Sequence, residues 1–428
     1  MLQEHSKYST SEISDRIMTY LPILIGAILF RLLITTIKPY AIDMGGYVAW
    51  SSYLAENGPK EFYTNSGFHV VYAPFYMYFL WFTGKLVQLF SLPAWLHVYL
   101  IKCWSVVFEF LGSILIIKLS EKYNLQKQGF LLASLYAVNP GVFMNSSVWG
   151  QFDSIPATML LGVLLLFEYK KNNLAALLFL LAVLTKPQSG LLLPIVMYLY
   201  FRNFKFDVAN VKKLLTGLIS GILLYLAVVL PFYSPTSKSG TIPGFLDWFY
   251  WLFDLYSKSI QDYPFATANA FNFWFLFGGQ IQNDTFPFLG LNYFWWGNIL
   301  LIIAVAFAFT CLIKGRATMH SVCYFSYLVQ FSAFMFMTKM HERYLLPAII
   351  FIMASAIFDK RHISSAALVS VWVFANQLYL YKLSFYNIYW LNRWDATALI
   401  FSLLTTLTYT LSLYNGYRIF IARDRKIN

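Results

Sequence analysis

The sequence predicts an all-α, polytopic membrane protein built as a single integral domain over residues 1–428. Three observations carry this. Of the 428 residues, 59% are hydrophobic and 20% aromatic, while only 12% are charged, about half the charge of an ordinary soluble domain. Apolar runs of roughly 17 to 25 residues recur along the chain, the length a helix needs to span a bilayer. The runs lack the period-two alternation of a membrane strand, and only helices or closed barrels satisfy their backbone groups in lipid.

The formal net charge is +12. On a soluble chain that excess points to nucleic acid. Here the lysines and arginines sit in short loops between apolar runs, where they orient helices and meet anionic headgroups, so membrane lipids and not nucleic acid are the expected partner. Cys103, Cys311 and Cys323 lie within apolar spans without a Cys-x-x-Cys pair, which argues against a structural disulfide or zinc site. No cleavage site follows the first apolar run, so it reads as a retained span.

In chain order, the polar segment Met1–Arg16 precedes a first span over Ile17–Ile37, with Arg31 inside it. The apolar run Tyr72–Phe90 resembles a second crossing, but counting it puts the N-terminus and the basic loops on opposite sides. Those loops carry Lys118/Lys122/Lys127, Lys170-Lys171, Arg202/Lys205/Lys212/Lys213, Lys314/Arg316, Lys360-Arg361 and Arg418/Arg423/Arg425/Lys426. Dropping that one crossing restores the charge rule everywhere. Pro74 near its start, and Lys85, Gln88 and Ser91 at three-residue spacing, fit a helix lying in the interface. Residues 38–96 therefore read as one external loop with interfacial helices.

The remaining crossings fall at His97–Leu119, Phe130–Asn145, Ile155–Tyr169, Leu174–Thr185, Leu191–Phe201, Leu214–Pro231, Tyr293–Ile313, Ser321–Thr338, Tyr344–Phe358, Ile363–Tyr381 and Ala396–Tyr414. With the first span they total about twelve. A second long external loop occupies residues 232–291. This topology gathers Asp43, Asp153, Lys186, Asp262 and His341-Glu342-Arg343 on the external side. Ionisable groups are costly at membrane depth, so a one-sided set is a candidate site.

Asp43 follows the first span ahead of Gly45-Gly46. A carboxylate there suits a general base within reach of a hydroxyl, or simply a helix cap. Trp149-Gly150-Gln151-Phe152-Asp153-Ser154 packs hydrogen-bonding groups between two spans, with Asp153 or Ser154 also suited to an N-cap. Lys186, in Thr185-Lys186-Pro187-Gln188, interrupts an apolar stretch. It can pair with a phosphate or with Asp153, or snorkel to the surface. Met340-His341-Glu342-Arg343-Tyr344 offers a guanidinium fork for phosphate oxygens, or a turn whose Glu342 and Arg343 neutralise each other. Ala268-Asn269-Ala270-Phe271-Asn272-Phe273-Trp274 combines amides with aromatic rings, as a sugar site or an interfacial belt does.

Asp43 after the first span, Trp-Gly-Gln-Phe-Asp-Ser at 149–154, Thr-Lys-Pro-Gln at 185–188, Asn-Ala-Phe-Asn-Phe-Trp at 269–274 and His-Glu-Arg-Tyr at 341–344 together resemble the GT-C glycosyltransferases. The resemblance covers roughly residues 17 to 380. It is greatest to the group of GPI mannosyltransferase II and the dolichyl-phosphate-glucose glucosyltransferases, with their bacterial relatives. It implies a GT-C fold and an inverting hexosyltransferase with an external active site; the compact chain and its Lys, Ile and Asn usage point to a bacterial plasma membrane. It also implies a polyprenyl-phosphate sugar as donor, carrying mannose, glucose or an N-acetylhexosamine, and a glycan or lipid-linked acceptor. By resemblance Asp43 is the catalytic base, and Arg343, His341 and Lys186 meet the donor phosphate. Gln151, Asp153, Gln188, Glu342, Tyr344, Asn269 and Asn272 are expected to contact substrate. The paired acidic residues of some members' first loops are missing beside Asp43, so no metal cofactor is expected. A lipid-linked sugar flippase or a polysaccharide polymerase or ligase are the alternatives. A transporter should show related halves and polar groups near midplane, and no repeat is visible.

Overall fold

Nearly every apolar run becomes a helix in the computed structural model, which describes residues 22–235 apart from 24 and 71, and residues 244–422. Met1–Arg16, the opening of the first span and Arg423, Arg425 and Lys426 lie outside the described residues. The helices are α1 (Ile25–Ile34), α2 (Ala41–Asn57), α3 (Pro74–Phe90), α4 (Ala94–Lys122), α5 (Gln126–Ala137), α6 (Ser154–Glu168), α7 (Asn172–Thr185), α8 (Leu193–Phe201) and α9 (Val208–Val229). They continue as α10 (Gly244–Gln261), α11 (Tyr293–Lys314), α12 (Met319–Phe336), α13 (Pro347–Ala356), α14 (His362–Ser384) and α15 (Ala396–Gly416). Among the described residues the sheet content is one two-stranded hairpin, Pro287–Phe288 with Leu291–Asn292.

Among the described residues, five helices are long and apolar enough to cross a membrane: α4, α9, α11, α14 and α15. The chain is thus an all-α protein with membrane-spanning helices. A second group, α1, α6, α7, α8 and α13, is apolar but shorter in its described part. Helices α12 and α13 are buried almost throughout, and α6 nearly so. They form the centre, and the long helices stand around them. A short apolar helix inside a protein core carries the same hydropathy as a short membrane span, so the sequence does not separate the two.

Two expected spans are broken. Phe130–Asn145 does not run through: α5 stops at Ala137, and a short helical turn, Pro140–Phe143, passes into a π-helical turn, Met144–Trp149. Pro140 lacks the N–H to continue α5. Asn139 instead caps the new turn, its Oδ1 accepting from the Gly141 and Val142 amides at 3.0 and 3.3 Å. Leu191–Phe201 begins as a 3₁₀ turn at Pro187. The long 232–291 loop also holds more structure than expected, including the amphipathic helix α10.

Helices α1 and α4 are antiparallel. Arg31 bonds Glu109, while Lys102 Nζ, two turns nearer the start of α4, donates to the carbonyls of Thr35 and Ile37 at 3.2 and 2.6 Å. The segment between them therefore leaves and returns at the same end of the bundle. Within it α2 and α3 pack closely along each other. Gly84 permits this, because a Cβ there would lie 2.2 Å from the Ser51 carbonyl oxygen. Ser51 Oγ donates to the Leu80 carbonyl at 2.7 Å and contacts His97 Nε2 at 2.9 Å, tying the pair to α4.

The polar loops sort by end. Asp43, Asp153, Lys186 and Arg343 lie at one end of the bundle, where α2, α6 and α13 begin and α7 ends. At the far end Tyr123 OH donates to Glu168 at 2.7 Å and Arg202 Nη1 to the Ala317 carbonyl at 3.1 Å. That end collects the basic loops.

Candidate active site

Asp43 sits in the first turn of α2, half-buried. It caps nothing: Tyr40 is the N-cap residue and makes no side-chain cap bond. Oδ2 accepts from Trp149 Nε1 at 2.7 Å and from Gln151 Nε2 at 2.6 Å. No donor among the described residues reaches Oδ1. The carboxylate is thus clamped by one oxygen and open at the other.

The clamp is built from the 139–154 turn. Tyr40 stacks on Trp149 with ring centroids 4.1 Å apart, and its amide donates to the Trp149 carbonyl at 3.0 Å. Gly150 takes φ +96°, the left-handed region that favours glycine, and a Cβ there would lie 2.4 Å from Met44 Cε, so a larger residue is strained and must push the methionine aside. Gln151 Oε1 in turn accepts from Tyr47 OH at 2.9 Å, so both ends of the amide are used.

Beneath this turn lies a buried polar network. The Arg31 guanidinium bonds Glu109, Ser146 Oγ at 2.7 Å, Ser147 Oγ and the Ala137 carbonyl. Lys102 Nζ also donates to the Ser147 carbonyl at 2.8 Å. A charge inside an apolar bundle is tolerated only when paired and fully hydrogen-bonded. Here the pairing fixes the loop that holds Asp43. Arg31 stood out in the sequence; its partner Glu109 interrupts an apolar run in the same way and was passed over.

Asp153 occupies the N-cap position of α6 but makes no cap bond. Its carboxylate forms a buried ion pair with Lys186 and accepts from Asn145 Nδ2 at 3.1 Å. Lys186 does not snorkel. Its ammonium lies 4.8 Å from the Tyr344 ring centroid and 5.4 Å from that of Phe152. Burial pulls the Lys186 ammonium below the usual lysine range, and Asp153 opposes that pull.

Arg343 Nη1 lies 2.5 Å from Glu342 Oε1, and its Nε lies 4.0 Å from Asp153 Oδ2. Nε is buried with no hydrogen-bond partner, so this guanidinium is incompletely satisfied. Burial raises the Glu342 carboxyl, with Arg343 opposing. Burial, with the Arg343 and Lys186 charges, holds the His341 imidazole well below the ordinary histidine range. His341 is therefore a neutral hydrogen-bonding group rather than a cation, packed edge-on against Tyr263 at 4.8 Å.

These groups share a cavity of about 230 Å³. Asp43, Lys186, Gln188, His341, Arg343 and Tyr344 all line it. A smaller pocket lies deeper, reached by Asp153, Lys186, Gln188 and Tyr344. Gln151 and Glu342 stand behind the wall, holding Asp43 and Arg343 respectively. Asn269 and Asn272 do not enter the cavity. Asn269 Nδ2 donates to the Tyr389 carbonyl at 2.9 Å and its Oδ1 accepts from Gln280 and the Leu391 amide. Asn272 bonds the Phe334 carbonyl and caps a short turn at the Phe275 amide. These amides stitch the long loop to the bundle, and the 268–269 backbone bridges His341.

The sequence reading passed over His69, Tyr72 and Tyr263, which also line the cavity. His69 Nε2 lies 2.8 Å from Asp262 Oδ2, joining the first loop to the long loop across the cavity rim. The pair is 193 positions apart, so no spacing rule finds it. Among the described residues no three His, Cys, Asp or Glu side chains gather as metal ligands do. One cavity is thus lined by a hydrogen-bond-accepting carboxylate, two cations and several aromatic rings. No family model matches the chain, and no curated protein matches it.

Proposed function

We propose that the chain is an integral-membrane, inverting GT-C-type glycosyltransferase. It moves a hexose from a polyprenyl-phosphate donor to a hydroxyl of a surface glycan or lipid-linked acceptor. The observation that carries this is the cavity lined together by Asp43, held through Oδ2 alone, and by Lys186 and Arg343. A base and a cationic pair sharing one cavity suit a displacement in which a proton leaves one side and a phosphate leaves the other.

In this reading Asp43 Oδ1 takes the proton of the acceptor hydroxyl. The hydroxyl oxygen forms its bond to the anomeric carbon on the face opposite the phosphate. The carbon–oxygen bond to the polyprenyl phosphate breaks, and the electron pair goes to the phosphate oxygen. Arg343 and Lys186 meet that charge, as preorganised cations do. His341 contributes a neutral hydrogen bond. Tyr263 and Tyr344 offer ring faces to the sugar. The cavity end of the bundle is the external side of a bacterial plasma membrane in this scheme, with about twelve crossings.

The test is a panel of polyprenyl-phosphate mannose, glucose and N-acetylhexosamine, incubated with the purified full-length chain and glycan acceptors. Release of polyprenyl phosphate with one sugar, dependent on an acceptor, is the expected result. Movement of lipid-linked sugar across a vesicle bilayer with no release favours the flippase.

A further inference from the structure

At the end of the bundle opposite Asp43 lies a second, larger cavity of about 750 Å³, between the α6–α7 and α8–α9 turns. Lys170, Lys171, Arg202 and Lys213 line it. Its one acidic residue, Glu168, is already committed, at 2.7 Å to Tyr123 OH and 3.3 Å to Lys122 Nζ. None of the four cations is in an ion pair among the described residues. The back wall is fixed: Asn173 Oδ1 accepts from Tyr200 OH at 2.8 Å, and Asn173 Nδ2 donates to the Lys213 carbonyl at 3.0 Å.

This basic cavity adjoins an apolar groove of about 430 Å³ between α7, α8 and α9, with Tyr200 in the wall of both. The groove runs past Leu177, Met197 and Leu218 to Tyr225 and Phe249, which stack with centroids 4.7 Å apart. Its floor at Gly221 is open, since a Cβ there would meet nothing within 4 Å. Cations at the helix ends and a contiguous apolar slot along the helices match the two halves of one kind of molecule.

We infer that this is a binding site for an anionic phospholipid, the phosphate headgroup held by Lys170, Lys171, Arg202 and Lys213 and an acyl chain lying in the α7–α9 groove. Charge complementarity selects an anionic over a zwitterionic headgroup. The neighbouring apolar groove, with Tyr200 in the wall of both, selects a lipid over free phosphate. Lipid in this slot would brace α7, whose other end carries Lys186. The site stands apart from the glycosyl-transfer reading and does not depend on it.

The test is native mass spectrometry of the full-length chain in detergent micelles. It is titrated with phosphatidylglycerol, with phosphatidylcholine of the same chains, and with inorganic phosphate. Phosphatidylglycerol should be retained in preference to phosphatidylcholine and should not be displaced by millimolar phosphate. Each exposed cation near a headgroup is worth about fivefold, so a Lys170→Gln, Lys171→Gln, Lys213→Gln variant should lower retention roughly a hundredfold. Gly221→Phe, which fills the groove and leaves every cation in place, should lower retention of both lipids. Equal retention of the two lipids, a triple variant that holds phosphatidylglycerol as the parent does, or displacement by phosphate overturns the inference. The triple variant changes only exposed side chains, so it remains informative if Gly221→Phe fails to fold.

Discussion

Gln151 Nε2 lies 2.6 Å from Asp43 Oδ2 across 108 positions of sequence. Its Oε1 is held at 2.9 Å by Tyr47, one turn along the helix that carries Asp43. Amide and carboxylate therefore fix each other's orientation, and Oδ1 is turned out by default.

Gln151→Leu removes that constraint and leaves Trp149 as the sole clamp. A hydrogen bond to a charged group is worth about 1.5–3 kcal/mol, so turnover should fall about 10- to 100-fold. Donor affinity should change less, since Gln151 lies behind the cavity wall. Steady-state release of polyprenyl phosphate over a range of donor concentrations separates the two.

Lys186→Met leaves Asp153 buried without its cation. Removing one partner of a buried pair costs about 3–5 kcal/mol, more than removing both. The melting temperature of Lys186→Met should therefore lie below that of the Asp153→Asn, Lys186→Met double variant. A double variant no more stable than the single would contradict the pairing.

His341 is held neutral, its folded-state pKa well below the ordinary value. On acidification the unfolded chain takes up a proton at this position that the folded chain does not, so falling pH favours unfolding. Stability should decline as pH drops below about 6.5, the unfolded histidine value, and the decline should be shallower in His341→Asn. Thermal melts between pH 5 and 8 measure this.

Gly84→Val forces side-chain atoms against the Ser51 carbonyl, which even a Cβ would approach to 2.2 Å. Overpacking of this kind costs about 1–3 kcal/mol. The strain falls on the helix that carries Asp43, so turnover should drop along with stability. A variant that melts lower but turns over normally would detach Asp43 from the α2–α3 contact.

The spans bounded by plain loops were legible in the sequence, because an apolar run flanked by charge has one reading in a membrane. Ala94–Lys122 and Tyr293–Lys314 extend the expected spans by only a few residues. The break at Asn139-Pro140 was misread because the short turn after it, Pro140–Phe143, is as apolar as the helix before it. Asp43, Lys186 and Arg343 could be found because each interrupts a greasy stretch. Asn269 and Asn272 looked similar for the opposite reason, since amides that stitch a loop to carbonyls have the same composition as amides that bind sugar. His69 and Glu109 acquire meaning only from partners distant in sequence, Asp262 and Arg31.

The central claim is that Asp43 accepts the proton of the attacking hydroxyl. Asp43→Asn keeps the side chain's shape, and its amide oxygen can still accept from Trp149 and Gln151, so the melting temperature should stay close to that of the parent. A positioned general base is worth about 10²- to 10⁴-fold. Acceptor-dependent release of polyprenyl phosphate by the folded Asp43→Asn protein should fall by that factor, with donor binding retained. Release at the parental rate from a folded Asp43→Asn protein would contradict the account.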